Sequence, residues 1–291
     1  MIHRMADFNR IGNYIIFKLK EKFSARPVQN LKNDLIEGFE GLKEGVYEEA
    51  ALNFSGGPNS VLTAALLTRY VPRIHLLAYT RSFMKYKDRM EVNLKGLVEK
   101  FGPDKFVYRE MNLDRVISES ILGPYEEDKK KFGAVMYMMK KCAGCKLGMH
   151  LSTIRYCIDN KISLACDGSN RSGSILIPDQ NQEVITVIKS LYRKHGITYL
   201  LPVYNVYRSD WECFQMRITD KVHLKTESLF YSSQPSCGFI GLDMHLYVLG
   251  YYIPRFGLDH YIKAAVKYHE EKLPILSSYI HKMTSAFYTG H

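Results

Sequence analysis

Nowhere in this 291-residue chain does an uninterrupted apolar run approach the ~20 residues needed to cross a bilayer. The first ten residues also lack the apolar core of a signal peptide, so a cytoplasmic protein without a membrane partner is expected. Internal repeats and low-complexity tracts are missing, which excludes a solenoid and a long disordered linker. A loop of the form G-x-x-x-x-G-K-S/T is absent as well, which disfavours γ-phosphate transfer of the kinase or GTPase kind. What remains is ordinary globular composition, 46% hydrophobic and 24% charged, with both signs interspersed. The length suits one core domain with smaller additions. A formal net charge of +10 and a pI near 9.1 suit a polyanionic partner, although a scattered solubilising surface would have the same balance. The runs Lys129-Lys130-Lys131 and Lys140-Lys141 tilt the balance toward nucleic acid.

The hydrophobic spacing alternates between strand and helix. Residues 10–48 show helix-like spacing through Ile15, Ile16, Leu19, Leu31, Leu35, Phe39 and Leu42, an N-terminal lead-in assigned to 1–48. Strands are expected at 50–54, 74–79, 105–111 and 162–166, with helices at 61–68, 85–101, 146–160 and 182–195, then an apolar segment at 197–203. This order implies an α/β fold with a parallel sheet and helices on both faces, spanning 49–204, with ligand sites beyond the carboxyl ends of the strands. Residues 205–291, rich in Tyr and broken by Pro235, Pro254 and Pro274, are expected to be a mostly helical extension.

Between the first strand and its helix lies Ser55-Gly56-Gly57-Pro58-Asn59-Ser60. A strand-to-helix handover exposes unpaired N–H groups and the positive end of the helix dipole, both favourable to an anion. Glycine admits close backbone approach and unusual φ values, and Ser55 and Ser60 add hydroxyl donors. A plain Ser/Gly turn is the alternative. The segment resembles the S-G-G-x-D-S loop of the PP-loop ATP pyrophosphatases, whose members adenylate a substrate and expel pyrophosphate. That resemblance implies a Rossmann-like fold and an ATP site at Ser55, Gly56, Gly57, Asn59 and Ser60. Asn59 stands where the family carries Asp; a carboxylate there would help hold Mg²⁺, whereas an amide offers a neutral oxygen.

Six cysteines occur at 142, 145, 157, 166, 213 and 237, and without an export signal reduced thiols are expected. Cys142-Ala143-Gly144-Cys145 precedes a helix, where two thiolates can converge on a metal and the helix N-terminus lowers their pKa. Two ordinary reduced cysteines, or half of a zinc site, are alternatives. No second C-x-x-C and no paired histidines follow at finger spacing, which weakens structural zinc. His150, His223, His245 and His260 lack metal-pair spacing, and most of the 21 tyrosines are expected in the core or at interfaces. The pair resembles the C-x-x-C of the sulfur-inserting PP-loop branch, including tRNA 2-thiocytidine and 2-thiouridine synthetases. In that branch a third, distant cysteine completes the ligands of a 4Fe-4S cluster. The resemblance assigns the cluster to Cys142, Cys145 and Cys237, with Cys213 as competitor for third ligand; Cys157 and Cys166 suit buried small hydrophobes. Lys146, beside the pair, is placed to offset cluster or phosphate charge, or simply to be solvated.

The strand end Asp167-Gly168-Ser169-Asn170 resembles the Asp-Gly-Thr-Asn segment of PP-loop sulfur transferases that build a thiolated pyridinium cofactor. There Gly168 would let the backbone approach the nucleotide, and Asp167 or Asn170 would contact Mg²⁺ or ribose; a turn is the alternative. Tyr79 and Thr80 close the second strand, where the fold places adenosine recognition, and Arg171 could reach phosphate. The expected function is ATP-dependent sulfur transfer to a tRNA base, with Cys142, Cys145, Cys237 and Asn59 as catalytic candidates and a separate sulfur donor. Association as a homodimer is compatible with it. The alternatives are a small-molecule cofactor as acceptor, a zinc-containing amide- or nitrile-forming ligase, and an ATP-binding protein with a degenerate loop.

Overall fold

A computed structural model of the chain describes residues 42–82, 88–120, 125–133, 143–171, 178–206, 213, 216–218 and 246–283. Residues 42–48 form turns, with Gly45 at φ +77, where the helix-like spacing of the lead-in implied helix. The rest of that lead-in lies outside the described residues.

From there the chain alternates. β1 (Glu49–Asn53), α1 (Pro58–Leu67), β2 (Arg73–Thr80), α2 (Asp88–Phe101) and β3 (Phe106–Asn112) build one half. α3 (Asp114–Ser120), α4 (Tyr125–Phe132), α5 (Gly144–Asn160), β4 (Leu164–Asp167), α6 (Gln182–Lys194) and β5 (Thr198–Leu200) build the other. A π-helical turn (Leu246–Tyr252), α7 (Ile253–Phe256) and the long α8 (Leu258–Lys282) follow. The five strands are parallel in the order β3-β2-β1-β4-β5. Strand order therefore reverses at β1, whose Leu52 pairs Leu76 of β2 on one side and Cys166 of β4 on the other.

Strands buried on both faces explain the unbroken apolar runs such as Ala50-Ala51-Leu52. Alternate residues serve different cores. Ala50, Leu52, Ile74, Leu76 and Leu164 pack with α1, whereas Ala51, Leu77 and Ala165 pack with α5, α6 and α8. α6 shows how its sequence sets its place: Val184, Ile185, Ile188, Leu191 and Tyr192 form the buried stripe, and the Asn181 side chain caps the helix by accepting from the Glu183 N–H at 2.9 Å. The described part of the C-terminal extension is mostly helical, with non-helical residues at 205–206 and 216–218. Among the described residues no helix is long and apolar enough to cross a membrane.

Candidate functional site

The reversal of strand order opens a crevice at the carboxyl ends of β1 and β4, and the glycine loop sits in it. Phe54 still donates its N–H to Leu77 O at 2.8 Å, so the loop begins one residue past β1. Gly56 follows at φ +70, and a Cβ there would stand 2.8 Å from Met90 Cα, so both conformation and space demand glycine. Its carbonyl accepts from the Asn93 carboxamide on α2. Ser60 Oγ donates to Gly57 O at 2.9 Å and lies 3.3 Å from Ser55 Oγ, while Gly57 N–H donates to Ser55 Oγ at 3.3 Å. The two serines thus tie the loop across its base.

α1 starts from Gly57 with no capping side chain and no acidic residue in its first turn. The first-turn N–H groups of Asn59 and Ser60 have no acceptor within the helix, and no acidic residue in that turn offsets the positive end of its dipole. Backbone donors so arranged favour an anion. Asn59 is partly exposed, and its carbonyl accepts from Thr63 Oγ1 at 2.8 Å.

A buried polar chain supports the loop from the β4 side. Asp167 accepts from Asn53 Nδ2 at 2.9 Å on one oxygen and from Ser169 Oγ at 2.7 Å on the other. Asn53 Oδ1 in turn lies 2.6 Å from Thr153 Oγ1, which also lies 2.9 Å from Met149 O and 2.6 Å from the Tyr79 hydroxyl. Thr153 has one hydrogen for its two acceptors, so the Tyr79 hydroxyl donates to Thr153. Burial would raise the Asp167 pKa, but the Lys146 and His150 charges and the two hydrogen bonds hold it below the ordinary carboxylate value. Lys146 Nζ lies 3.3 Å from Asp179 Oδ2; burial disfavours its charge, yet Asp167 and Asp179 keep it firmly protonated.

His150 shares this buried space, its Nδ1 3.0 Å from the Tyr192 hydroxyl and its ring edge-on to Tyr192 and Tyr199. Burial first, then the Lys146 cation, push its pKa down from 6.5 to about 4, against the pull of Asp167 and Asp179. It should therefore stay neutral where an unfolded histidine charges. The His150 ring resonances followed by NMR are expected to show no titration between pH 7 and 5, and a midpoint near 6.5 would contradict this burial.

The candidate residues lie in several places. Ser55, Gly56, Gly57, Asn59 and Ser60 form one loop, and Gly168 of the β4 end packs directly on it, an added Cβ meeting Ser60 N at 2.6 Å. Tyr79 and Thr80 end β2, beside β1; the Tyr79 hydroxyl is engaged by Thr153 and the Thr80 carbonyl by Leu113 N–H. Asn170 is buried, with its amide donating to Val203 O and Val206 O at 3.0 and 2.7 Å, while Arg171 is exposed. Cys145 is partly buried in the first turn of α5, hence at the same sheet edge as the loop, because α5 leads into the amino end of β4. Cys142 and Cys237 lie outside the described residues. Cys213 belongs to the opposite core, its Sγ donating to Pro58 O at 3.5 Å, so the sheet separates it from Cys145. Burial pushes the thiols of Cys157 and Cys166 well up. Among the described residues no group of three or more His, Cys, Asp or Glu is arranged to hold a metal ion.

Three contributors escaped the sequence reading. Asn53 had a signal, a polar residue ending an otherwise apolar strand. Thr153 and Asp179 had none, since helices and turns commonly carry such residues.

The chain matches no protein-family model and no curated protein. Among solved structures it is similar to a U34-tRNA thiolase from Methanococcus maripaludis with its 4Fe-4S cluster, at 16% identity and a TM-score of 0.50, over 91% of this chain and 83% of that one. An NMN synthetase from Francisella tularensis is matched at 11% identity and a TM-score of 0.47, over 86% and 97% of the two chains. A 4-thiouridine synthetase solved with RNA and bound ATP is matched at 14% identity and a TM-score of 0.41, over 83% of this chain and 55% of that one. The chain has a Rossmann-like α/β fold with its glycine loop at the switch point of the sheet. In its particular form this is the fold seen in the U34-tRNA thiolase.

Proposed function

We propose that the protein is an ATP-dependent, adenylating sulfur transferase of the PP-loop type that acts on a tRNA base. The observation that carries this reading is the uncapped start of α1 behind two glycines, at the crevice between β1 and β4. The residues fit ATP: the first-turn N–H groups of Asn59 and Ser60 meet the phosphates, and the Ser55 and Ser60 hydroxyls add donors. A carbonyl oxygen of the acceptor attacks the α-phosphorus, the bridging P–O bond breaks, and pyrophosphate leaves. Hydrosulfide then adds to the activated carbon, AMP departs, and the sulfur loses its proton as the C=S bond forms. The chain holds the phosphates, excludes water from the adenylate and orients the acceptor. Mg²⁺ would offset phosphate charge, with the Asn59 amide as a neutral donor.

Cys142, Cys145 and Cys237 would hold a 4Fe-4S cluster whose fourth iron, lacking a protein ligand, is available to sulfur. Cys145 supports this assignment by standing at the same edge of the sheet as the loop. In this reading residues 49–204 are the ATP-binding unit, 1–48 and 205–291 flank it, and the sulfur comes from a separate donor in the cytoplasm.

Anaerobic iron and sulfide analysis of the wild type beside Cys237→Ala tests the thiol set, and pyrophosphate release with bulk tRNA tests the chemistry. The wild type is expected to carry both elements, the variant to lose most of them, and pyrophosphate to depend on tRNA. Full iron and sulfide in the variant would remove Cys237 from the ligands. Zinc in place of iron would favour the ligase reading. ATP binding without pyrophosphate would leave a nucleotide-binding protein.

A further inference from the structure

The helical C-terminal segment exposes aromatic surface that no packing requirement explains. Tyr251 is 45% exposed and Phe256 41%, and Arg255 and His260 are exposed beside them. Tyr252 and Ile253 anchor the turn in the core, and Gly257, at φ +88, lets the chain break between α7 and α8. That break sets the His260 ring over Phe256, with centroids 5.7 Å apart and planes 27° apart. Arg255 lies 5.8 Å from the centres of both the Tyr251 and the Phe256 rings, and Tyr247 flanks Tyr251 at 5.5 Å. Four adjacent exposed groups therefore offer flat π-faces or a planar cation.

The position of this surface follows from the direction of α8. Near its end, His281 lies 5.7 Å from His195, which follows α6, and Tyr279 donates to Glu119 at the end of α3. Further back, His269 lies within the field of Asp179, which precedes α6. Helices that connect parallel strands start at the carboxyl edge of the sheet and end at the amino edge. α8 therefore runs from the carboxyl edge of the sheet toward the amino edge, with Leu258, Tyr261 and Ala265 of its first turns buried in the core. The exposed rings stand at the start of α8, toward the carboxyl edge of the sheet, the edge that also holds the glycine loop.

We infer that Tyr251, Arg255, Phe256 and His260 form a stacking platform for unpaired bases of an RNA. An aliphatic docking face for protein would not need a guanidinium and an imidazole laid against its rings. Bases stack on aromatic rings and on arginine planes irrespective of sequence. Charge agrees: from Tyr247 to Tyr268 the charged residues are Arg255, Lys263 and Lys267 against Asp259. The inference deepens the tRNA reading above by naming where the RNA rests outside the chemical site.

The test uses the full chain, a labelled oligouridylate followed by fluorescence anisotropy at fixed salt, and the double variant Tyr251→Ala/Phe256→Ala. The double variant is expected to bind the oligonucleotide at least about tenfold more weakly while binding ATP like the wild type, which shows that the fold is intact. Arg255→Gln should weaken binding and lower the slope of log affinity against log salt by about 1. Unchanged oligonucleotide affinity in the double variant would overturn the platform. So would a wild type that self-associates through these rings and becomes monomeric in the variant with no change in RNA affinity. Ring-dependent RNA binding without tRNA-dependent pyrophosphate release would keep the platform and refute the sulfur-transfer reading.

Discussion

Gly168→Ala is expected to lower the affinity for ATP by at least about tenfold and to cost ~1–3 kcal/mol of stability, as overpacking commonly does. The new methyl group would stand 2.6 Å from Ser60 N, 2.8 Å from Ser60 Cα and 2.9 Å from the carbonyl carbon of Asn59. All three are backbone atoms of the first turn of α1, so no side chain can rotate away and the turn itself must move. It is the same turn whose uncapped N–H groups would meet the phosphates in the proposed function. Stability and ligand affinity should therefore fall together. Gly250→Ala is the control, because an added Cβ there meets nothing within 4 Å and the backbone is not left-handed. Titration calorimetry with ATP and thermal denaturation read the two effects. A Gly168→Ala protein that binds ATP like the wild type would separate the β4 turn from the nucleotide site.

That contact marks the limit of what the sequence makes legible. The order of strands and helices through 49–204 could be read because buried parallel strands leave unbroken apolar runs and the helices between them leave periodic ones. The loop at residues 55–60 was legible for the same reason, since its glycines fall between two strongly patterned elements. The role of Asp167-Gly168-Ser169-Asn170 was not. Whether Gly168 faces a nucleotide or a helix start depends on a contact more than a hundred residues distant in sequence, and no local pattern records it. Asn170 is similar, because its amide bridges two carbonyls of the turn after β5. Cys213 and Cys145 look equivalent as letters. Only the alternation of the two cores places them on opposite faces of the sheet.

Lys146→Met should destabilise the protein by about 3–5 kcal/mol at neutral pH, the usual cost of stripping the partner from buried charge. From the sequence Lys146 could offset cluster or phosphate charge or simply be solvated; in the structure Asp179 and Asp167 are its charged neighbours. The Asp179 side chain is 1% exposed, and its oxygens receive no well-formed hydrogen bond, so the ammonium is its principal compensation. Adding Asp179→Asn should recover part of the loss, since the amide needs no counter-charge; the double variant would then be more stable than Lys146→Met alone. The pH dependence follows from the direction of each shift. Asp167 has a folded pKa below its unfolded value of 3.8, so its contribution is present above that value and lost as pH falls through the folded one. Without the cation that depression shrinks, and the contribution at neutral pH shrinks with it. His150, held down to about 4, costs stability in the wild type as pH falls below 6.5, and loss of the neighbouring cation eases its protonation. The His150 change makes the deficit of Lys146→Met largest near pH 7 and smaller toward pH 4, whereas the Asp167 share stays level over that range and is withdrawn only below 3.8. Denaturant titrations of wild type and variant across that range measure it. A deficit independent of pH, or an Asp179→Asn substitution that only adds further loss, would show that Lys146 acts through packing of its stem and not through its charge.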